Sequence, residues 1–131
     1  VPEDARRLMM PSLTEVSALV ESSLYERFLQ HRHEEPVLTQ WDAWGRRIDH
    51  IELTSVWKAM ESLAVRYGLV ATAYEKVTGE HARVHQMALA YLLEPVSGVY
   101  FCPLAMTDGA AKTLLSSGNR ALCDRALPRL L

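Results

Sequence analysis

From residue 54 onward, apolar side chains recur every three or four positions, and no segment sustains an alternation of apolar and polar residues. This spacing places apolar side chains on one face of an α-helix, whereas a half-buried strand requires alternation. Five helices are predicted here: one capped by Thr54 or Ser55 and ended by Gly68, a short one over Val70–Tyr74, one opened by Thr78 or Gly79 and ended by Pro95, one from Pro103 to near Gly118, and one capped by Asn119 that runs through Leu127. The predicted fold class is all-α, a bundle of about six helices.

The remaining helix is predicted near the N-terminus. Ser12 and Glu15 have the spacing of a capping box, in which each side chain satisfies a free backbone donor. Apolar residues then recur at every fourth position, at Val16, Val20, Leu24 and Phe28. This stripe predicts a helix that begins at Ser12, runs to about His33 and is closed by Pro36.

Between Val37 and Leu53 the helical period disappears. Trp41, Trp44, Ile48 and Ile51 stand among charged residues and a glycine. We interpret this segment as an irregular or short extended connector that tucks its bulky apolar groups under the next helix. Within Gln40–Asp49, Arg–Asp pairs are predicted to hold the turn while the tryptophans pack on the core.

The segment Ala82–Leu93 is apolar over more than half of a helical circumference. A helix of this kind is buried on most sides. It is therefore predicted to be central, with Met87 and Tyr91 buried in the complete assembly, and to be flanked by the helices of Val56–Tyr67 and Leu104–Leu115.

Charge and composition exclude several classes of protein. The net charge is −2, from 14 basic and 16 acidic side chains, so no basic face for nucleic acid is expected. No apolar run approaches the roughly 18 residues of a membrane span. Cys102 and Cys123 are predicted to be free, buried thiols. They indicate an intracellular, reducing compartment, which is the cytoplasm or, in a eukaryote, the mitochondrion or peroxisome.

Few residues have the spacing of a catalytic or metal site. His81 and His85 are four apart on a helix, but a metal needs three or four ligands and no third ligand is suitably spaced. A solvated helix face is the preferred interpretation. Cys102 has no neighbour that would activate it, and the chain has no glycine-rich phosphate loop. We predict no catalytic residue and no metal site.

The segment Ser97–Ala111 is unusually small and flexible for the start of a helix. Gly109, Ala110 and Ala111 lie close to Met106 and Thr107. Small residues on an inner helix face leave room for a flat ring, an acyl chain or another backbone. Close contact between two helices is an equally good explanation.

Two segments resemble the acyl-CoA dehydrogenase superfamily, and most closely its AidB-like branch. They are residues 42–49 (DAWGRRID) and 102–110 (CPLAMTDGA), with a helix bearing Trp57 between them. Both are specific to that branch and occur in its order and at about its spacing. Residues 118–130 also resemble the end of the family's first helical domain. The similarity covers nearly the whole chain from about Pro2.

The resemblance implies an N-terminal helical domain that precedes a middle β-domain and a C-terminal bundle, both expected to be absent from this chain. In the family, FAD binds mainly to those two parts within a homodimer or tetramer, and a glutamate of the C-terminal bundle is the base of many members. The N-terminal domain forms one wall of the channel for the acyl-CoA substrate. Carried over to the helix from Pro103, the wall residues are Leu104, Met106, Thr107, Ala110 and Ala111.

Because the base and most of the flavin site lie outside it, this chain alone is expected to be inactive, although the complete protein is expected to be an oxidoreductase. DNA binding in the AidB branch is attributed to the C-terminal part, so no nucleic-acid contact is carried over. The alternative is a free-standing helical module that holds a lipid or a partner helix without chemistry.

Overall fold

The computed structural model describes residues 1–131, and it is a helical bundle with one small β-hairpin. The all-α prediction is confirmed, with the hairpin as an addition. The elements are α1 (Glu3–Leu19), a π-helical segment (Val20–Leu24), α2 (Tyr25–His31), β1 (Val37–Trp41), β2 (Arg47–Glu52), α3 (Ser55–Arg66), α4 (Thr72–Glu75), a 3-10 turn (Gly79–His81), α5 (Ala82–Leu93), a second 3-10 turn (Glu94–Val96), α6 (Phe101–Ser116) and α7 (Arg120–Leu130). Since α1, the π-helical segment and α2 form one continuous rod, the bundle has six helical bodies.

The N-terminal helix begins at Glu3, so the predicted capping box at Ser12 is wrong. Ala5 and Met9 are buried together with Val16, and they extend the same apolar stripe upstream past Pro11, which lies inside the helix. The Ser12 hydroxyl donates to the carbonyl of Met9 instead of capping a helix end. An intrahelical proline therefore concealed the true start of the rod.

The connector between the rod and α3 is an antiparallel hairpin. Val37 pairs with Glu52 and Thr39 with His50, while the register shifts near the turn so that Trp41 pairs with Arg47. Asp42 holds the turn, because its carboxylate accepts from the backbone N–H groups of Trp44 and Arg46, both at 2.9 Å. The predicted Arg–Asp pairs are present as Arg46–Asp42 (3.3 Å) and Arg47–Asp49 (2.7 Å).

The apolar groups of the hairpin do not lie under α3, which corrects the sequence interpretation. Trp41, Ile48 and Ile51 are exposed, and Trp44 is 89% exposed at the turn. Both faces of the two-stranded sheet lack a covering layer, because the hairpin projects from the bundle instead of packing on it. The tryptophans therefore contribute nothing to this core.

The predicted caps of α3 and α7 agree with the structure. Other helix ends differ, because α4 begins at Thr72 and not at Val70, α6 begins at Phe101 and not at Pro103, and α7 runs to Leu130 and not to Leu127. The Thr54 hydroxyl accepts from the N–H of Trp57 (3.2 Å), and the Asn119 side chain accepts from the N–H of Leu122 (3.0 Å). Gly68 follows α3 with φ +55°, a left-handed conformation that favours glycine. The local signals of the second half of the chain thus specify the order of its helices correctly, but not every helix end.

The core lies where α5 meets the rod and α3. Leu89 and Leu93 of α5 are fully buried, in one cluster with Val16 of α1 and with Val56 and Met60 of α3. The backbone of α5 lies closest to α1 and α4, two neighbours that the sequence did not predict.

The opposite face of α5 is open in this chain. Met87 is 50% exposed and Tyr91 is 80% exposed, although the apolar pattern of the helix predicts burial in a complete assembly. Only the face of α5 that carries Leu89 is therefore buried in the core of this chain. The opposite face is free to contact other parts of an assembly.

Replacing Leu89 by alanine should lower the free energy of unfolding by about 2–5 kcal/mol, because the side chain leaves a cavity in a close-packed core. Met87→Ala is the matched control on the same helix, and its loss should stay below about 1 kcal/mol. Urea denaturation followed by circular dichroism measures both. Equal losses of unfolding free energy in the two variants would contradict the assignment of Leu89 to the buried face of α5 and Met87 to its exposed face.

Candidate functional site

The five predicted wall residues lie on two different faces of helix α6. Leu104 packs against the core cluster, Ala111 is fully buried, and Thr107 is half-buried with its hydroxyl donating to the carbonyl of Pro103 (2.9 Å). Met106 is 70% exposed and Ala110 is exposed. Neighbouring helical residues differ in direction by about 100°. One surface therefore cannot present all five side chains.

The outer face of α6 is a stripe of small and apolar side chains. Its exposed members are Cys102, Ala105, Met106, Gly109, Ala110 and Thr113. Cys102 is a free, exposed thiol and not the buried one that was predicted. Cys123 of α7 is half-buried, and its thiol donates to the carbonyl of Leu114 at 3.1 Å. The small side chains on the outer face of α6 allow a flat group or another backbone to approach this helix closely.

A groove of about 100 Å³ separates α6 from α5. Its lining is mostly apolar: Leu69, Gln86, Met87, Ala90, Phe101, Leu104, Ala105 and Asp108. Met87 and Ala105 lie at its open side, so the exposed face of α5 continues into the outer face of α6. Together the two helices form one partly apolar surface.

Asp108 anchors α6 to the rest of the bundle. Its carboxylate accepts from the Tyr74 hydroxyl (2.5 Å) and from the Arg83 guanidinium (2.6 Å). Burial, together with the hydrogen bond to Asp108, raises the pKa of Tyr74. Arg83 also donates to the buried amide of Gln86 at 2.5 Å, and that amide donates to the carbonyl of Leu69 at 2.8 Å. The network joins α4, α5 and α6 beside the groove.

Sequence reasoning missed this network. The available signal was Gln86, a polar residue on the buried side of an otherwise apolar helix. A buried polar side chain needs hydrogen-bond partners, so its position predicts a polar contact across the bundle. The identity of those partners is not encoded in the local spacing of residues, because Asp108 is 25 positions from Arg83.

The two spaced histidines do not share one solvated face. His85 lies against α1, where its Nε2 atom is 2.8 Å from the Ser12 hydroxyl oxygen. Burial lowers the pKa of His85, because desolvation penalises the charged imidazole. His81 pairs loosely with Glu80 at 3.6 Å. No group of three or more histidine, cysteine, aspartate or glutamate side chains is arranged to hold a metal ion.

The α6 surface does not form a dinucleotide site by itself. The groove beside it is well below the about 300–1,000 Å³ of typical small-molecule sites. Its outer face has one hydroxyl, Thr113, which donates to the carbonyl of Gly109 in its own helix. The residues of the α6 surface therefore do not fit a flavin dinucleotide.

Sequence and structure both relate the chain to known proteins. The family described as the adaptive response protein AidB N-terminal domain matches residues 7–131. The acyl-CoA dehydrogenase family member 11 of Caenorhabditis elegans is 31% identical over an alignment of 134 positions, which covers 99% of this chain. The chain belongs to the AidB N-terminal domain family and is an acyl-CoA dehydrogenase-like N-terminal domain, so the resemblance seen in the two sequence segments is confirmed.

Two solved structures superpose on nearly the whole chain. The apo form of Bd2924 has 41% sequence identity and a TM-score of 0.90 over 100% of this chain. The crystal structure of C. elegans ACDH-11 in complex with C11-CoA has 31% identity and a TM-score of 0.85 over 99% of this chain. The chain spans between 22% and 26% of the length of these relatives. None of its helices is both long and apolar enough to span a membrane.

Removal of the His85 imidazole should reduce the loss of stability in acid. The folded-state pKa of His85 lies below its unfolded value of about 6.5, so the unfolded chain binds the proton more readily. The wild-type domain therefore loses stability as the pH falls below about 6.5, and His85→Gln should lose less.

The free energy of unfolding at about pH 5 and about pH 8 measures this effect. His33→Gln, in the exposed turn after α2, controls for the loss of a histidine as such. A pH dependence that is the same in wild type and His85→Gln would show that His85 is not the responsible group.

Proposed function

We propose that this chain is the first helical domain of a flavin-dependent acyl-CoA dehydrogenase-like oxidoreductase, and that it forms one wall of the acyl channel. The observation that carries the proposal is the end-to-end likeness to ACDH-11, whose structure contains C11-CoA. The short coverage of each relative supports the presence of further domains in the complete protein. Those domains would supply most of the flavin site and the catalytic base.

The wall is proposed to be the outer face of α6. Met106 and Ala110 point away from the core, so they are the two predicted residues that can face an acyl chain. A methionine suits this position, since its flexible thioether adapts to a mobile apolar ligand. Leu104, Thr107 and Ala111 lie on the inner side and would act by fixing the position of the helix.

The contribution of this domain is proposed to be shape and the exclusion of water. Oxidation of an acyl thioester at its α and β carbons requires one group that accepts a proton and another that accepts a hydride. The one carboxylate of α6, that of Asp108, is held by Tyr74 and Arg83 behind the proposed wall, so neither acceptor is assigned to the outer face of α6. A wall must keep its position while the ligand moves. The contacts of Asp108 with Tyr74 and Arg83 hold α6 in this way from behind.

The full-length protein that contains this domain should carry a visible flavin absorption band, and anaerobic addition of an acyl-CoA should bleach it as the flavin is reduced. The 131-residue chain alone should be colourless, because the groove beside α6 is too small for a dinucleotide and the sequence has no glycine-rich phosphate loop. Intact mass and visible spectroscopy check both expectations. A colourless full-length protein that is monomeric would favour the free-standing interaction module instead.

Ala110→Trp in the full-length protein should shift acyl-CoA preference to shorter chains, because the indole would fill the proposed channel. Initial rates with acyl-CoAs of increasing length measure the shift. In the 131-residue chain the same change should alter the free energy of unfolding by less than about 0.5 kcal/mol, since Ala110 is exposed.

Ala111→Trp is the matched control one residue away. Ala111 has no exposed surface, so its enlargement should cost about 1–3 kcal/mol or more. The proposed wall is wrong if Ala110→Trp leaves the chain-length preference unchanged, or if both variants destabilise the domain equally.

A further inference from the structure

The β-hairpin has two open edges, and the two edges differ in how they are protected against pairing. The edge of β2 carries Arg47, Asp49 and Glu52, and Asp49 has φ +46° at the register shift. Charges and bulges of this kind protect a strand from pairing with another chain. By contrast, β1 has no charged residue, no proline and no positive φ over Val37–Trp41. Its edge is therefore free to accept another strand.

We propose that β1 pairs antiparallel with β1 of a second copy of this chain, about a two-fold axis at Thr39. In this pairing, Val37 lies opposite Trp41 of the other copy, Leu38 lies opposite its Gln40, and Thr39 lies opposite its Thr39. Pairs of a β-branched with an aromatic side chain, and Thr–Thr pairs, are favourable across antiparallel strands. The strand is thus complementary to itself, as an interface between identical copies requires.

The same pairing brings the turn of one hairpin to the base of the other. Trp44 follows Thr39 by five residues and Glu34 precedes it by five, so the two approach each other across the axis. At the hairpin base lies a cavity of about 270 Å³ whose lining includes Phe28, Glu34, Pro36, Val56 and Trp57. The exposed Trp44 side chain is proposed to enter this cavity in the second copy.

Seating Trp44 adds an apolar anchor to the area that the paired strand edges bury. Stable interfaces bury about 1,200–2,000 Å², and a buried tryptophan in a pocket is a frequent anchor. The two-fold axis provides this contact twice. In the proposed pairing, the exposed Arg46 of one turn would lie near Glu34 and Glu35 of the second copy, so that opposite charges meet.

The test uses the full-length protein with Thr39→Lys and Thr39→Glu, since residue 39 faces its own copy across the axis. Each variant alone places like charges in contact and should lower the mass of the assembly about twofold. An equimolar mixture of the two variants should restore the wild-type mass, because lysine then faces glutamate. Sedimentation velocity measures the masses, and circular dichroism verifies folding.

His50→Lys is the matched control, since His50 pairs with Thr39 within the hairpin but lies on the protected strand. It should keep the wild-type mass. Assemblies unaffected by either Thr39 variant, or a mixture of folded variants that stays dissociated, would overturn the proposal. Trp44→Ala should raise the dissociation constant about tenfold or more. An unchanged constant would overturn the seating of Trp44 in the cavity.

Discussion

The burial of Leu89 and Leu93 holds α5 against the N-terminal rod and α3, and Leu104 of α6 packs against the same cluster. Because one face of α5 is committed to the core, its opposite face, with Met87 and Tyr91, points outward. Helix α6 then packs beside α5, with Leu104 and Ala111 turned inward. The outward faces of both helices together form a partly apolar surface, and the proposed function assigns the α6 part of it to a channel wall.

A network of hydrogen bonds fixes how the helices are rotated relative to one another, which the apolar packing alone does not. Hydrophobic contact alone tolerates small rotations of a helix, whereas a buried polar group must keep its hydrogen-bond partners. Gln86 satisfies this requirement through Leu69 and Arg83, and Arg83 in turn reaches Asp108 on α6. The network therefore determines which side of α6 faces away from the bundle, and hence which residues can meet a ligand.

Local signals in the sequence predict the helices after residue 54 well, because a cap such as Thr54 or a terminator such as Gly68 acts over only a few residues. The start of α1 was missed, since Pro11 interrupts the local pattern while the tertiary burial of Ala5 and Met9 continues it. For the candidate site, the sequence resemblance points to helix α6 but does not tell which of its side chains are exposed and which are buried. Ala110 and Ala111 are chemically identical, and only their packing separates them.

The hairpin shows a further limit of inference from composition. Bulky apolar residues usually indicate a core, yet Trp41, Trp44 and Ile51 are exposed here, on a sheet with no layer above or below it. A two-stranded hairpin alone is marginally stable in water. Its turn is nevertheless well ordered by Asp42, and its two edges are protected to different degrees. A segment held in shape while its apolar groups remain uncovered has the properties of a contact surface, and the self-complementary order of β1 indicates which partner that surface fits.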